Sequence, residues 1–132
     1  MSGYTYDTGV LIAAERNDRI VWALHRRLLE QGNRPSVPSA VLAQAWRGGP
    51  QAQLSRLLAG CEVHPLTETH ARECGRLLAR ASSSDIVDAS AVIVARERGE
   101  VVLTSDPGDL GPLSAALGRP LVEIRSINDS AS

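Results

Sequence analysis

The spacing of apolar and polar positions changes repeatedly along this 132-residue chain, and each change marks an element. "SGYTYDTGVLIAAE" opens as a short β-favouring stretch and turns helical, with Asp7 at the junction. In "RIVWALHRRLLEQG", Val21, Leu24 and Leu28 fall on one helical face, with Asp18 placed to cap the start and Gly32 to end it. "RPSVPS" reads as a short extended segment, after which Ser39 is expected to cap the helix "AVLAQAWRG". A further short helix after Pro50 carries Leu54, Leu57 and Leu58 and stops near Gly60.

"CEVHPL" reads as a strand, and Thr67 then caps a helix in which Ala71, Cys74, Leu78 and Ala81 recur at helical spacing. "DIVDASAVIVARERG" is apolar almost all round and is closed by Gly99, which suits a helix buried at the domain centre. "EVVLTS" is the clearest strand, "DPGDLGPLSAALG" a turn and short helix, and "PLVEI" a last strand. Strands alternating with helical patterns predict an α/β domain with a mainly parallel central sheet and helices on both faces. One domain over residues 1–127 is expected, with 128–132 a loose tail.

In such a sheet ligands bind beyond the carboxyl ends of the strands, where connections diverge. Asp7 ends the first predicted strand, and Asp106 and Asp109 follow "VVLTS". Asp85 and Asp88, in "SSSDIVDAS", open the helix that leads into that strand, so its first turn can reach the same edge. Collected carboxylates raise one another's pKa unless a cation sits among them. Mg²⁺ takes hard oxygen ligands and keeps several waters, so two or three carboxylates can hold it. It can then orient water and neutralise charge on a phosphodiester.

Each acid also has a plainer reading. Asp85 suits a helix N-terminus through the macrodipole alone. Asp88, one turn further in on the same side, sits at the edge of a buried helix, where a carboxylate needs a partner. "TSDPGDL" could be only a turn, since Asp, Pro and Gly favour turns. "DTG" also occurs in aspartic proteases, but their all-β framework conflicts with "VLIAAER" and the helices after it.

Composition narrows the choices further. The net charge is −1, which argues against a purely electrostatic nucleic-acid binder but not against an enzyme with a local arginine cluster. All 14 basic residues are arginine, so a P-loop lysine and a Schiff base are excluded. Cys61 and Cys74 are too few for a disulfide framework or zinc site and read as core residues. His25, His64 and His70 match no ligand spacing and read as surface or structural residues. No apolar run approaches the ~20 residues that span a bilayer, and "MSGYTYDTG" is not a signal peptide, so a cytoplasmic protein is expected.

Four segments in order, "YDTGVLIAA", "VPSAVLAQAWRGG", "DIVDASAVIVA" and "TSDPGDL", resemble the PIN-domain ribonucleases of the VapC-type toxin group over essentially the whole domain. The resemblance implies a Mg²⁺- or Mn²⁺-dependent endoribonuclease that leaves a 3′-hydroxyl and a 5′-phosphate. It also implies a cognate antitoxin and a homodimer. Asp7 matches the family's first acid, Asp88 its third and Asp106 its fourth; Asp109 and Asp85 fall where some members carry further acids. Asp7 and Asp88 are therefore the expected metal ligands, with Asp106 binding directly or through water. Thr104 and Ser105 match small hydroxyl positions beside the site, and Arg47 stands where it could steady a phosphate or the antitoxin, or simply be solvated.

Gln44 departs from the pattern, since the family usually has Glu there. An amide carbonyl can accept a hydrogen bond or bind a cation but adds no charge, so metal affinity should fall and a second metal is not expected. Three function classes follow: a toxin nuclease; a PIN-like module that binds RNA or protein with weak or no cleavage; and a phosphotransfer domain using Asp7, which the lack of lysine disfavours.

Overall fold

The computed structural model describes residues 3–128. It contains β1 (Tyr4–Tyr6), α1 (Thr8–Glu15), α2 (Arg19–Glu30), β2 (Ser36–Pro38), α3 (Ser39–Ala45) and α4 (Ala52–Ala59). These are followed by β3 (Glu62–His64), α5 (Glu68–Ala81), α6 (Ile86–Arg98), β4 (Val101–Thr104), α7 (Pro107–Leu117) and β5 (Ile124–Ser126). The strands form one wholly parallel sheet in the order β3-β2-β1-β4-β5. The chain moves outward from β1 through β2 to β3 and then returns to the other side of β1. The strand order thus reverses between β1 and β4, and the carboxyl ends of those two strands border the crevice where such sheets bind ligands.

Two helical groups, α1 with α2 and α4, and α6 with α5 and α7, flank the sheet, while α3 touches both α1 and α6. The centre of the core is α6, in which every residue from Ala89 to Ala95 is buried. That explains its unbroken apolar character, because no face remains for solvent. Gly99 ends it in the left-handed region at φ 66°. On the other side of the sheet, the Tyr6 hydroxyl and the buried His25 Nδ1 share a 2.8 Å hydrogen bond, and Trp22 meets the imidazole edge-on. Burial lowers the His25 pKa, which keeps the ring neutral beside the phenol. A tether across the fold comes from Glu15, whose Oε1 accepts from Leu54 N at 2.9 Å and so satisfies the start of α4.

The predicted boundaries hold with four corrections. Ser39 does not cap α3: β2 runs straight into the helix, Pro38 takes the cap position, and Ser39 Oγ accepts from Leu66 N at 2.9 Å. The same helix stops at Ala45, because Trp46 is extended and Gly48 and Gly49 both have positive φ. In α5 the buried stripe is Cys74 and Leu77, leaving Ala71 exposed, so the face is rotated from the one expected. The last strand begins at Ile124 rather than Pro120, since Val122 O is taken by the Ser114 hydroxyl at 2.7 Å and Leu121 is 66% exposed. The expected tail, 128–132, lies outside the described residues except for Asn128. No helix among the described residues is long and apolar enough to cross a membrane.

Candidate active site

Of the helices that begin at the carboxyl edge of the sheet, three begin on an aspartate. Asp7 stands at the N-cap of α1, Asp85 at that of α6 and Asp106 at that of α7. The N-cap position favours Asp because its side chain can accept from the first free backbone N–H groups. Only Asp85 does so, accepting from Asp88 N at 3.0 Å. Asp7 and Asp106 make no side-chain cap bond, so their carboxylates are free for other contacts. Asp88 and Asp109 stand in the first turns of α6 and α7.

Asp7 is held from β4. The Thr104 hydroxyl donates to Asp7 Oδ2 at 2.9 Å and accepts from Asp106 N at 3.0 Å, joining the ends of both central strands through one buried side chain. The other carboxylate oxygen, Asp7 Oδ1, is buried without a hydrogen-bond partner. A buried carboxylate oxygen in that condition is unfavourable unless something positive or donating meets it. Burial is accordingly the main reason the Asp7 pKa is raised, against the lowering effect of Thr8 and Thr104, and the charges of Asp85 and Asp109 add to it.

The other acids sense one another across the crevice. Asp88, half-buried, is pushed up to about 7, first by burial and then by the charges of Asp85, Asp7 and Asp109. Asp109 is raised mainly by Asp106, with a contribution from Asp85. No arginine forms an ion pair with any of these five aspartates among the described residues. Asp7, Asp85, Asp88, Asp106 and Asp109 thus share one electrostatic environment, as expected from the sequence. They do not form a ready cage: no three His, Cys, Asp or Glu side chains among the described residues are grouped to hold a metal ion. Mutual repulsion with no counter-charge favours such an open arrangement.

Gln44 reaches this edge from α3. Thr8 Oγ1 donates to Gln44 Oε1 at 2.7 Å, so the amide carbonyl is engaged and its NH₂ is left as a donor. Ser105 is exposed beside Asp106. Arg47 is not drawn to the acids: its Nη1 donates to Trp46 O at 2.9 Å, and its backbone N–H donates to Gln51 Oε1 at 2.6 Å. Sequence reasoning missed Gly9. A Cβ there would lie 1.9 Å from Ser105 Oγ, so α1 and the end of β4 approach too closely for any side chain. The visible signal was a glycine in the first turn of a helix.

The fold is thus a parallel α/β sheet with an acidic, uncompensated edge at the point where its strand order reverses. The PIN-domain family model matches residues 4–108, and the chain belongs to that family. Solved structures agree on the fold. PAE2754 from Pyrobaculum aerophilum has a TM-score of 0.64 at 17% identity, over 98% of this chain and 87% of that one. A chain of VapBC2 from Rickettsia felis, bound to a DNA fragment from their promoter, gives 0.67 at 14% identity, over 93% and 97%. A chain of DNA-bound VapBC from Salmonella typhimurium gives 0.63 at 18%, over 96% and 99%. Curated protein sequences offer no match.

Proposed function

We propose that this chain is a metal-dependent endoribonuclease of the cytoplasm and the toxin of a VapBC-type toxin–antitoxin pair. The observation that carries the reading is the orphaned, buried Asp7 Oδ1, together with a half-buried Asp88 that senses the Asp7 charge and whose pKa is pushed up to about 7. Both features fit a divalent cation, which satisfies the oxygen and removes the repulsion. Asp7 and Asp88 would hold it, with Asp106 reaching it directly or through water. A bound Mg²⁺ or Mn²⁺ would supply charge neutralisation at the phosphodiester and orientation of the attacking water.

The chain's own residues set the rest. Thr104 engages Asp7 Oδ2 and leaves Oδ1 available for a cation. Asp85 keeps the first turn of α6 in place and thereby presents Asp88. Asp109, exposed in the first turn of α7, would orient water, and the exposed Ser105 hydroxyl could hydrogen-bond the substrate. Gln44, engaged by Thr8, can offer its NH₂ to a phosphate oxygen but supplies no negative charge. The likeness to chains of VapBC assemblies supports an antitoxin protein as partner, and a homodimer is the expected assembly.

A second reading is favoured by Gln44 and by the open arrangement of acids: a PIN-like module that binds RNA or protein with little cleavage. Incubating purified protein with structured RNA and Mn²⁺ separates the two. The nuclease reading expects cleavage at least 100-fold faster than with Asp88→Asn, in line with loss of a group that acts directly on the reaction, which is worth on the order of 10²–10⁴. Equal rates for the two proteins would leave only the binding module.

A further inference from the structure

One divalent cation leaves a five-aspartate edge net negative, so groups beside the acids must help to hold the polyanion that is cut there. A groove among the described residues is suited to this. It has a volume of about 520 Å³ and is lined by Gly9, Ile12, Ala13, Arg16, Ser105 and Ile127, with Asp18 at its rim. It starts where α1 and the end of β4 touch, since Ser105 closes on Gly9, and Ser105 adjoins both Thr104 and Asp106. Gly9, Ile12, Ala13 and Arg16 recur at three- and four-residue spacing, so they form one stripe of α1. Seven residues of helix carry the stripe about 10 Å away from the acids.

Among the described residues Arg16 is the only cation lining this groove, and its guanidinium has no hydrogen bond or ion pair to any of the others. The acid nearest to it in the groove, Asp18, is already committed: its Oδ1 accepts from Ile20 N at 2.9 Å and from Val21 N at 3.1 Å at the start of α2. Ile12 is 38% exposed on the groove wall, an apolar surface against which a base or ribose can pack. We infer that this groove holds the single-stranded nucleotide next to the cleaved bond, with Arg16 on its phosphate and Ile12 against its base or sugar. The inference rests on the nuclease reading above and adds the place and polarity of charge by which RNA is retained. Arg47, for which the sequence left a phosphate contact and a solvated position both open, bonds to Trp46 O and does not line this groove.

The test is the salt dependence of binding. Fluorescence anisotropy with a 5′-labelled single-stranded RNA, in Ca²⁺ and from about 50 to about 200 mM salt, gives a slope of log K on log salt. That slope is near −0.7 for each phosphate neutralised on a single strand. Arg16→Gln should flatten it by about 0.7 and raise the cleavage KM while leaving kcat nearly unchanged. Ile12→Glu, at an exposed position, should weaken binding several-fold with an unaltered melting curve. Arg76→Gln, an exposed arginine of α5, should leave the slope as in the native chain. If the native chain cuts RNA and Arg16→Gln keeps the native slope, the groove assignment is overturned and the nuclease reading stands. If the slope flattens equally in Arg76→Gln, the assignment is likewise overturned. If the native chain binds RNA but never cuts it, a flattened slope in Arg16→Gln supports the groove while the nuclease reading fails. Failure to bind RNA at all overturns both.

Discussion

The Thr104 hydroxyl donates to Asp7 Oδ2 at 2.9 Å and leaves Asp7 Oδ1 buried without a partner. That bond adds a side-chain link to the β1–β4 ladder at the point where strand order reverses, and it takes up only one of the two carboxylate oxygens. Thr104→Val keeps the shape and removes the hydroxyl. Leaving two polar groups unpaired, the Asp7 carboxylate and Asp106 N, costs about 1–3 kcal/mol each where they are buried. The variant should therefore melt several degrees lower and bind Mn²⁺ more weakly, whereas Thr104→Ser should restore both. Calorimetry and thermal melting read the two effects; a Val variant with native Mn²⁺ affinity would show that the bond does not position Asp7.

Asp88 gives the metal-free protein a pH dependence with a defined sign. Its folded pKa, about 7, lies above the ordinary carboxyl value, so the native state holds the proton more tightly than the unfolded chain. Stability from this group is fully present below about pH 4, is lost as pH rises from there to about 7, and stays lost above. Asp7 is shifted in the same direction and adds to the trend. Metal-free protein should thus melt higher at pH 5 than at pH 8, and Asp88→Asn should flatten most of the difference. Thermal melts in chelator across that range check it, and a native chain that melts higher at pH 8 would contradict the shift.

Asp85 and Asp88 stand three apart but carry separable duties. Because Asp85 accepts from Asp88 N, Asp85→Ala should lose an N-cap worth about 0.5–2 kcal/mol, while Asp85→Asn keeps the cap and removes only the charge. If Asp85 acts chiefly as a cap, the Asn variant should retain native stability and near-native cleavage. A large loss of cleavage in Asp85→Asn, at native stability, would instead make its charge part of the reaction.

Gln44→Glu keeps an acceptor for Thr8 Oγ1 and adds a carboxylate to the edge. Divalent affinity should rise on the order of tenfold, which corresponds to about 1.4 kcal/mol. Without metal the extra charge should lower the melting temperature, since it joins acids that already repel. Unchanged affinity in Mn²⁺ titration would place residue 44 outside the reach of the cation.

Much of this was readable from the chain because local chemistry and position coincide. Asp7 and Asp106 each follow a strand, Asp85 and Asp88 each begin the helix that precedes β4, and a parallel sheet sends all of those points to one edge. The continuous apolar run of Ala89 to Ala95 fixed α6 as central for the same local reason. What could not be read was set by contacts between distant segments. The Asp7 side chain bonds to Thr104, 97 positions away, instead of capping its own helix. Ser39 loses its capping role to Leu66, and Gly9 is required by Ser105; neither partner is near in sequence. Arg47, which the sequence left open between a phosphate ligand and a solvated side chain, bonds to Trp46 O, and the two glycines after it both take positive φ.

The central claim is that the acidic edge is a site for one divalent cation, centred on Asp7 and Asp88. Titrating the chelator-treated protein with Mn²⁺ at pH 7.5, followed by calorimetry and by thermal melting, tests it most directly (the pH lies near the upper end of the Asp88 transition, ~7). One ion per chain is expected, with stabilisation of about 2.7 kcal/mol at a hundredfold excess over Kd, and with binding lost in both Asp7→Asn and Asp88→Asn. A protein that takes up no Mn²⁺, or whose binding survives both substitutions, would contradict the account.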